Sequence, residues 1–218
     1  MPKHIAEEFL PDELPTNPME TVAQWLAAAR AAANQPNSNA MTLATADPEG
    51  RPSARIVLCK HFDADAGTID FYTNYQSRKG GEIANNSFVA VVFHWDHQGR
   101  QVRIEGQIEK LSGENSDAYF ASRPRDSQIG AWASDQSQPV PDRKTLIEKF
   151  ASNQERFDDA SASIPRPPHW GGYRIHAAAC ELWVEGSGRV HDRARFVRTL
   201  DASAGYESGR WMGQRLQP

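Results

Sequence analysis

Residues 41–60 read Met41-Thr42-Leu43-Ala44-Thr45-Ala46-Asp47-Pro48-Glu49-Gly50-Arg51-Pro52-Ser53-Ala54-Arg55-Ile56-Val57-Leu58-Cys59-Lys60. Met41–Ala46 and Pro52–Lys60 are strand-like runs of period two, and Asp47-Pro48-Glu49-Gly50 between them is a turn signal, so the stretch predicts a β-hairpin. Working outward, Thr68–Thr73, Phe88–Trp95 and Gln101–Leu111 read as further strands, the last alternating through Val102, Ile104 and Ile108. Short turn-rich links between repeated strands predict an antiparallel barrel or sandwich. Ser77–Asn85, beginning Arg78-Lys79-Gly80, interrupts the strands as a short helix.

Upstream, Asn17-Pro18-Met19-Glu20 places Asn at N-cap, Pro at N1 and Glu at N3, the start of a helix. Met19, Val22, Trp25, Leu26 and Ala29 continue it at helical spacing to about Ala33. Residues 1–15 carry charge and proline without a period and read as a mobile arm. Downstream, Ser112–Ser122, Ser127–Ser134 and Asp142–Phe157 are helical, the last with Leu146, Ile147 and Phe150 on one stripe. After Pro165, Pro167 and Pro168, strands are expected at Gly172–His176, Cys180–Val184, Arg189–Arg198 and Arg210–Leu216. No repeat or linker divides the chain. Strands at both ends flanking the helices predict one mainly β domain over residues 16–218.

The chain has 218 residues, of which 24 are basic and 28 acidic, a formal net charge of −4. That balance excludes a polyanion-binding surface of the nucleic-acid or anionic-membrane kind. Only six of the basic residues are lysine, and arginine is the residue that fits phosphate or carboxylate bidentately. Genome composition raises arginine as well, so position has to decide. Cys59 and Cys180 are far apart with no zinc-ligand spacing, which points to a reducing, cytoplasmic setting with two incidental thiols. The N-terminus lacks a signal-peptide pattern, and no stretch approaches a membrane span in apolar length.

Three segments could carry chemistry. In Arg189-Val190-His191-Asp192-Arg193-Ala194-Arg195-Phe196, a strand would place Arg189, His191, Arg193 and Arg195 on one face. Such a row is either a solvated outer face or the wall of an anionic ligand site, with His191 able to act near neutral pH. Arg123-Pro124-Arg125-Asp126-Ser127-Gln128 puts arginine before a helix N-terminus, which is either a capped surface corner or a phosphate site. Tyr72-Thr73-Asn74-Tyr75-Gln76-Ser77-Arg78-Lys79-Gly80 ends a strand in hydroxyls and enters a helix with two cations, again suited to a phosphate monoester. Arg55 lies inside a strand, where it faces solvent or meets a partner. His94-Trp95-Asp96-His97 lacks a third ligand, so no metal site is expected. No nucleotide-binding glycine loop, GxSxG, HExxH or kinase pattern is present.

Read together, these blocks resemble the pyridoxine/pyridoxamine 5′-phosphate oxidase family. The resemblance runs in order from about residue 15 to the end through Ala40–Thr45, Arg55–Lys60, Phe71–Tyr75, Ser77–Gly80 and Arg100–Gly106. It continues through Ser122–Trp132, which is the most specific block, then Trp170–Arg174, Arg189–Arg193 and Arg215–Pro218. It implies an FMN-binding split β-barrel, antiparallel and homodimeric, with FMN at the subunit interface and a C-terminal dimerisation segment over about 170–218.

By position, the resemblance implies that Arg55, Lys60, Tyr72, Thr73, Arg78, Lys79 and Gln101 hold FMN from one subunit. Gln136, Ser137, Trp183 and Arg193 would come from the other. Lys60, Tyr119, Arg123 and Ser127 would bind substrate phosphate, and Arg189 and His191 would lie over the substrate ring as the catalytic pair. The activity implied is oxidation of pyridoxamine or pyridoxine 5′-phosphate to pyridoxal 5′-phosphate, with dioxygen reduced to hydrogen peroxide. A related flavin oxidase with another substrate, or a non-catalytic FMN- or pyridoxal-phosphate-binding protein, are the competing readings. The chain departs from the family in three places. Its usual N-terminal Arg-Arg-x-Tyr segment has no counterpart in residues 1–15. Its Trp-Gln-Gly is Trp183-Val184-Glu185, and Asp201–Ser208 is a longer link, read as a surface loop.

Overall fold

The computed structural model describes residues 8–218. Helix α1 (Pro18–Ala32) starts as expected: Asn17 Oδ1 accepts from the Met19 N–H at 3.0 Å. It buries Met19, Val22, Trp25, Leu26 and Ala29 against the sheet. The quoted hairpin forms β1 (Ala40–Ala46) and β2 (Pro52–Leu58), followed by the short β3 (His61–Asp63) and by β4 (Thr68–Asn74). Helix α2 (Arg78–Asn85) leads to β5 (Phe88–Trp95) and β6 (Arg100–Lys110). Helices α3 (Gly113–Ala121), α4 (Arg125–Ala133) and α5 (Arg143–Arg156) precede β7 (Trp170–Val184) and β8 (Asp192–Val197). The chain continues with β9 (Leu200–Asp201), β10 (Glu207–Ser208) and β11 (Met212–Leu216).

One antiparallel sheet runs β11-β8-β7-β6-β5-β1-β2, and β4 pairs with β7 on one side and β3 on the other. The sheet curls until β4 lies near β2 without pairing to it, leaving an open seam. Inside the curl, Leu43, Phe71, Phe93, Ile104, Tyr173 and Leu182 are fully buried. Burial of each such side chain stabilises by about 1.5–3 kcal/mol, which holds the curved sheet around α1. A smaller cluster of Phe120, Ile129, Ile164 and Trp170 glues α3 and α4 to the start of β7.

Several expectations are corrected. The two strands expected at Gly172–His176 and Cys180–Val184 are one strand of 15 residues, β7. It pairs with β4 through residues 170–176 and with β8 through residues 179–184. The strand expected from Arg189 begins only at Asp192, because Ser187–Arg189 is a 3-10 turn with Gly188 and Arg189 at φ 63° and 66°. Arg189 and His191 therefore do not share a strand face with Arg193 and Arg195. Helix α5 buries none of its stripe: Leu146 and Ile147 are exposed, and only Phe150 packs against the α3–α4 cluster. The arm expected over residues 1–15 is not free in its second half. Leu10 is buried, its N–H donates to Asp192 Oδ2 at 2.9 Å, and Arg215 donates to the Pro11 carbonyl at 2.7 Å. Residues 1–7 of that arm lie outside the described residues. The link at 201–208 is largely an exposed two-stranded ribbon.

Candidate functional site

The seam between β2 and β4 opens into a cavity of about 500 Å³. Its walls are Arg55 to Leu58 and Lys60 on one side, Tyr72, Thr73 and Lys79 on the other, with Tyr119, Arg123, Ser127, Gln136 and Trp170 closing it. Nine residues that the sequence assigned to FMN or to substrate therefore meet in one place: Arg55, Lys60, Tyr72, Thr73, Lys79, Tyr119, Arg123, Ser127 and Gln136. Lys60 also lines an adjoining cavity of about 410 Å³ with His61, Asp70 and Arg174, where Arg174 grips Asp70 bidentately at 2.8 Å.

One end of the main cavity is built on α2. Ser77 caps this helix by accepting from the Gly80 N–H, and it directs Lys79 inward. Lys79 Nζ donates to Gln136 Oε1 at 2.7 Å and to the hydroxyls of Thr73 and Ser77 at 3.2 Å. Burial, with the Arg55 cation nearby, pushes the Lys79 ammonium down to about 8 against a weaker opposing pull from Glu82. Arg55 donates to the hydroxyls of Thr45 and Ser53, and its Nη2 lies 3.2 Å from Glu82 Oε2. Two adjacent cations in a partly desolvated recess repel one another unless an anion joins them.

The other end is aromatic. Tyr72 stacks on Tyr119 at 3.8 Å and on Trp170 at 5.6 Å. Gly172 permits this, since a Cβ there would lie 2.7 Å from the Tyr72 ring. The Arg123 guanidinium lies 4.5 Å from the Trp170 ring centroid at the α3–α4 corner. That corner is locked by the Gln128 amide, which donates to the carbonyls of Phe120, Ala121 and Arg123 at 3.0–3.2 Å. Arg123 Nη1 is buried without a hydrogen-bond partner, a costly state for a guanidinium N–H. Burial also lowers the Arg123 pKa.

A second group lies elsewhere. Gln101, Trp183 and Arg193 stand side by side on β6, β7 and β8, paired in register. The His191 ring sits 4.6 Å from that of Trp183, and its Nδ1 accepts from the Gly186 N–H at 3.2 Å. The neutral imidazole then carries its proton on Nε2, a tautomer assigned from that bond. Arg189 adopts a left-handed backbone, costing about 1–3 kcal/mol, the kind of strain that concentrates at functional sites. The expected row of four cations does not exist. Arg193 is paired with Glu181 at 2.9 Å and Arg195 with Glu105 at 2.9 Å. None of this group lines the main cavity.

Two residues lie apart from the sets in which they were expected. Gln136, expected from the other subunit, touches Lys79 of its own chain, because the α4–α5 link folds back over β4. Gln101, expected with the first set, stands with Trp183 instead. Arg78 and Ser137 are placed at the margin: Arg78 pairs with Glu82 at 2.8 Å, its side chain 62% exposed, and Ser137 is exposed at φ 72°. Sequence reasoning missed Glu82, Gln128, Trp170 and the Asp70–Arg174 pair. An acidic residue three positions after a Lys in a helix opening toward a phosphate site was the available signal for Glu82.

Residues 27–153 match the family described as pyridoxamine 5′-phosphate oxidase. Residues 170–218 match one described as the pyridoxine 5′-phosphate oxidase C-terminal dimerisation region. A protein of Chromohalobacter salexigens named pyridoxine/pyridoxamine 5′-phosphate oxidase is 47% identical over 218 residues, 99% of this chain and 95% of its own. A Sphingopyxis alaskensis protein of the same name is 50% identical over 184 residues, 84% of this chain and 82% of its own. Among solved structures, PhzG from Burkholderia lata 383, in complex with tetrahydrophenazine-1-carboxylic acid, superposes with a TM-score of 0.85 at 30% identity, covering 98% and 99% of the two chains. A pyridoxamine 5′-phosphate oxidase-related, FMN binding protein from Nostoc punctiforme superposes at 0.69 over 91% and 96%. At 15% identity that is a likeness of fold.

Proposed function

Because the chain belongs to the pyridoxamine 5′-phosphate oxidase family, we propose that it oxidises pyridoxamine or pyridoxine 5′-phosphate to pyridoxal 5′-phosphate, as an FMN-dependent homodimer of the cytoplasm using dioxygen. The observation that carries this reading is one cavity lined by four basic side chains, Arg55, Lys60, Lys79 and Arg123, with the hydroxyls of Tyr119 and Ser127. Two phosphate esters, those of FMN and of substrate, call for that many cationic and hydroxyl donors.

The residues present fit FMN. Burial and the neighbouring Arg55 hold the Lys79 ammonium at about 8, a state that a phosphate anion would relieve, and Thr73 and Gln136 surround its Nζ with polar partners. The chemistry FMN supplies when bound is acceptance of a hydride equivalent from substrate C4′, with electrons passing on to dioxygen as hydrogen peroxide. The chain's own residues bind and orient. Arg123 offers its unpaired Nη1 to the substrate phosphate, and the Tyr72–Tyr119–Trp170 stack shields that end from water. From the partner subunit, Arg189 holds the substrate ring and favours negative charge on its phenolic oxygen. His191 presents Nε2–H, its orientation fixed through Nδ1. Positioning is the larger share of catalysis here, because hydride transfer demands close approach.

The likeness to PhzG makes a non-phosphorylated substrate the competing reading. The gathering of Lys60, Tyr119, Arg123 and Ser127 in one cavity favours a phosphate, whose three terminal oxygens take more donors than the two of a carboxylate. Purified protein is expected to show a flavin absorption band and, with either phosphorylated substrate, to yield peroxide and an aldehyde. Bound flavin without product from either substrate would overturn the proposal.

Lys79 gives a pH prediction. Its free-state value near 8 lies below the ordinary lysine range, so the ammonium is lost as pH rises through 8, whereas a bound phosphate anion restores it. At the acid side, a phosphate monoester loses its second charge below about 6. FMN affinity is therefore expected to peak between about 6 and 8 and to fall above, with a proton taken up on binding in the alkaline limb. Fluorescence titration of apoprotein from pH 6 to 10 checks this. An affinity flat to pH 10 would remove Lys79 from the phosphate site.

A further inference from the structure

Glu82 lies on the second turn of α2 with its side chain 5% exposed. Its carboxylate accepts from Ser53 Oγ at 2.7 Å, from Arg78 Nε at 2.8 Å, from Arg55 Nη2 at 3.2 Å and from the Thr45 hydroxyl. Burial by itself would raise its pKa, but these donors outweigh burial and hold the carboxyl at about 2. Glu82 is therefore an anion throughout the working pH range.

A buried carboxylate among cations is weak as a source of stability, because its desolvation offsets the attraction. What it does is fix geometry. Both terminal nitrogens of Arg55 are occupied. Nη1 reaches the Leu43 carbonyl and the Thr45 hydroxyl, and Nη2 reaches the Ser53 hydroxyl and Glu82. Arg55 Nε makes no hydrogen bond among the described residues. The same carboxylate pulls Arg78 back along the helix surface, one turn away. Lys79 lies beside Arg55 in the recess, Arg78 lies at its margin, and Glu82 joins the two guanidinium groups.

We infer that Glu82 is a positioning residue for the cofactor phosphate: it orients Arg55 and Arg78 and sets the recess to select a phosphorylated flavin over an unphosphorylated one. This deepens the reading of the site given above and rests on it.

The test compares FMN with riboflavin as ligands of the apoprotein, by quenching of flavin fluorescence, for wild type and Glu82→Gln. Glutamine keeps the shape but no longer anchors the two guanidinium groups as an anion. FMN affinity is expected to fall by about 10- to 100-fold, as for loss of charge-assisted hydrogen bonds. Riboflavin affinity should stay unchanged, so the FMN-to-riboflavin ratio collapses. A purely structural Glu82 would weaken both flavins alike, and a Glu82 that only dilutes positive charge would bind FMN more tightly once replaced. Either outcome overturns the inference. If Glu82→Gln fails to fold, Thr45→Val removes the hydroxyl shared by Arg55 and Glu82 without changing any charge. It should lower the ratio in the same direction by a smaller factor, and an unchanged ratio overturns the proposal. A wild type with no preference for FMN over riboflavin would overturn the site reading itself. A preference that survives in Glu82→Gln would overturn only the role of Glu82.

Discussion

Lys79→Met and Arg189→Met proteins, each nearly inactive alone at an FMN concentration that just saturates wild type, are expected to regain about a quarter of wild-type activity when their subunits are exchanged. Lys79 lines the cavity at the β2–β4 seam, whereas Arg189, Gln101, Trp183 and Arg193 do not line it. Strands β1 and β5 stand between β2 and β6, three strand spacings or roughly 14 Å of sheet. In the proposed homodimer the partner subunit would bring the second group to that cavity. In a random mixture half the dimers carry one variant of each kind. In those, one of the two sites inherits both defects and the other inherits neither. Peroxide formation by the mixture, compared with each variant alone, reads the result. A mixture no more active than its components would mean that both residues serve the same chain's site.

Arg123→Met is expected to lower kcat/KM for the phosphorylated substrate by about 100-fold, as for loss of a charge-assisted bidentate contact worth roughly 2–3 kcal/mol. Methionine can still pack on Trp170 and Phe120, while removing the cation that the guanidinium places 4.5 and 5.5 Å from their ring centroids. The Gln128 lock on the α3–α4 corner uses carbonyl oxygens and is untouched. The loss should vanish for pyridoxamine without its phosphate, since Arg123 then has nothing to hold. A kcat/KM within threefold of wild type on the phosphorylated substrate would assign Arg123 to structure alone.

The parts of the fold legible in the sequence are those whose information is local. The hairpin of residues 41–60 declares itself through alternation and a turn, and Asn17 caps α1 because the cap is a contact two residues long. Strand β7 was obscured because it is buried along most of its length and crosses Ala177-Ala178-Ala179, where no polar–apolar contrast remains. The charged alternation from Arg189 mimics a strand, while the glycines at 186 and 188 mark the turn that is there. A Cβ on Gly186 would fall within 1.8 Å of the Val190 carbonyl. In the site, nine side chains that the family resemblance singled out line one cavity. Which group Gln101 and Gln136 join depends on how distant segments fold over one another, and neither local pattern nor spacing encodes that. Glu82 was hidden because an acidic residue on a short helix reads as solvated until tertiary contacts close over it.

Strand β7 also dictates when this chain becomes safe during its synthesis. It is the common neighbour of β4, β6 and β8, so the hydrogen-bonding edges of β4 and β6 stay open until it emerges. Between Asn74, the end of β4, and Val184, the end of β7, lie about 110 residues, which a ribosome adds in roughly 5–20 s. The β4 edge stays unpaired throughout that interval and the β6 edge from Lys110 onward, each a template for pairing with other chains. Slower elongation or depletion of chaperones should therefore cost yield of this protein far more than an equal change in the stability of its finished fold.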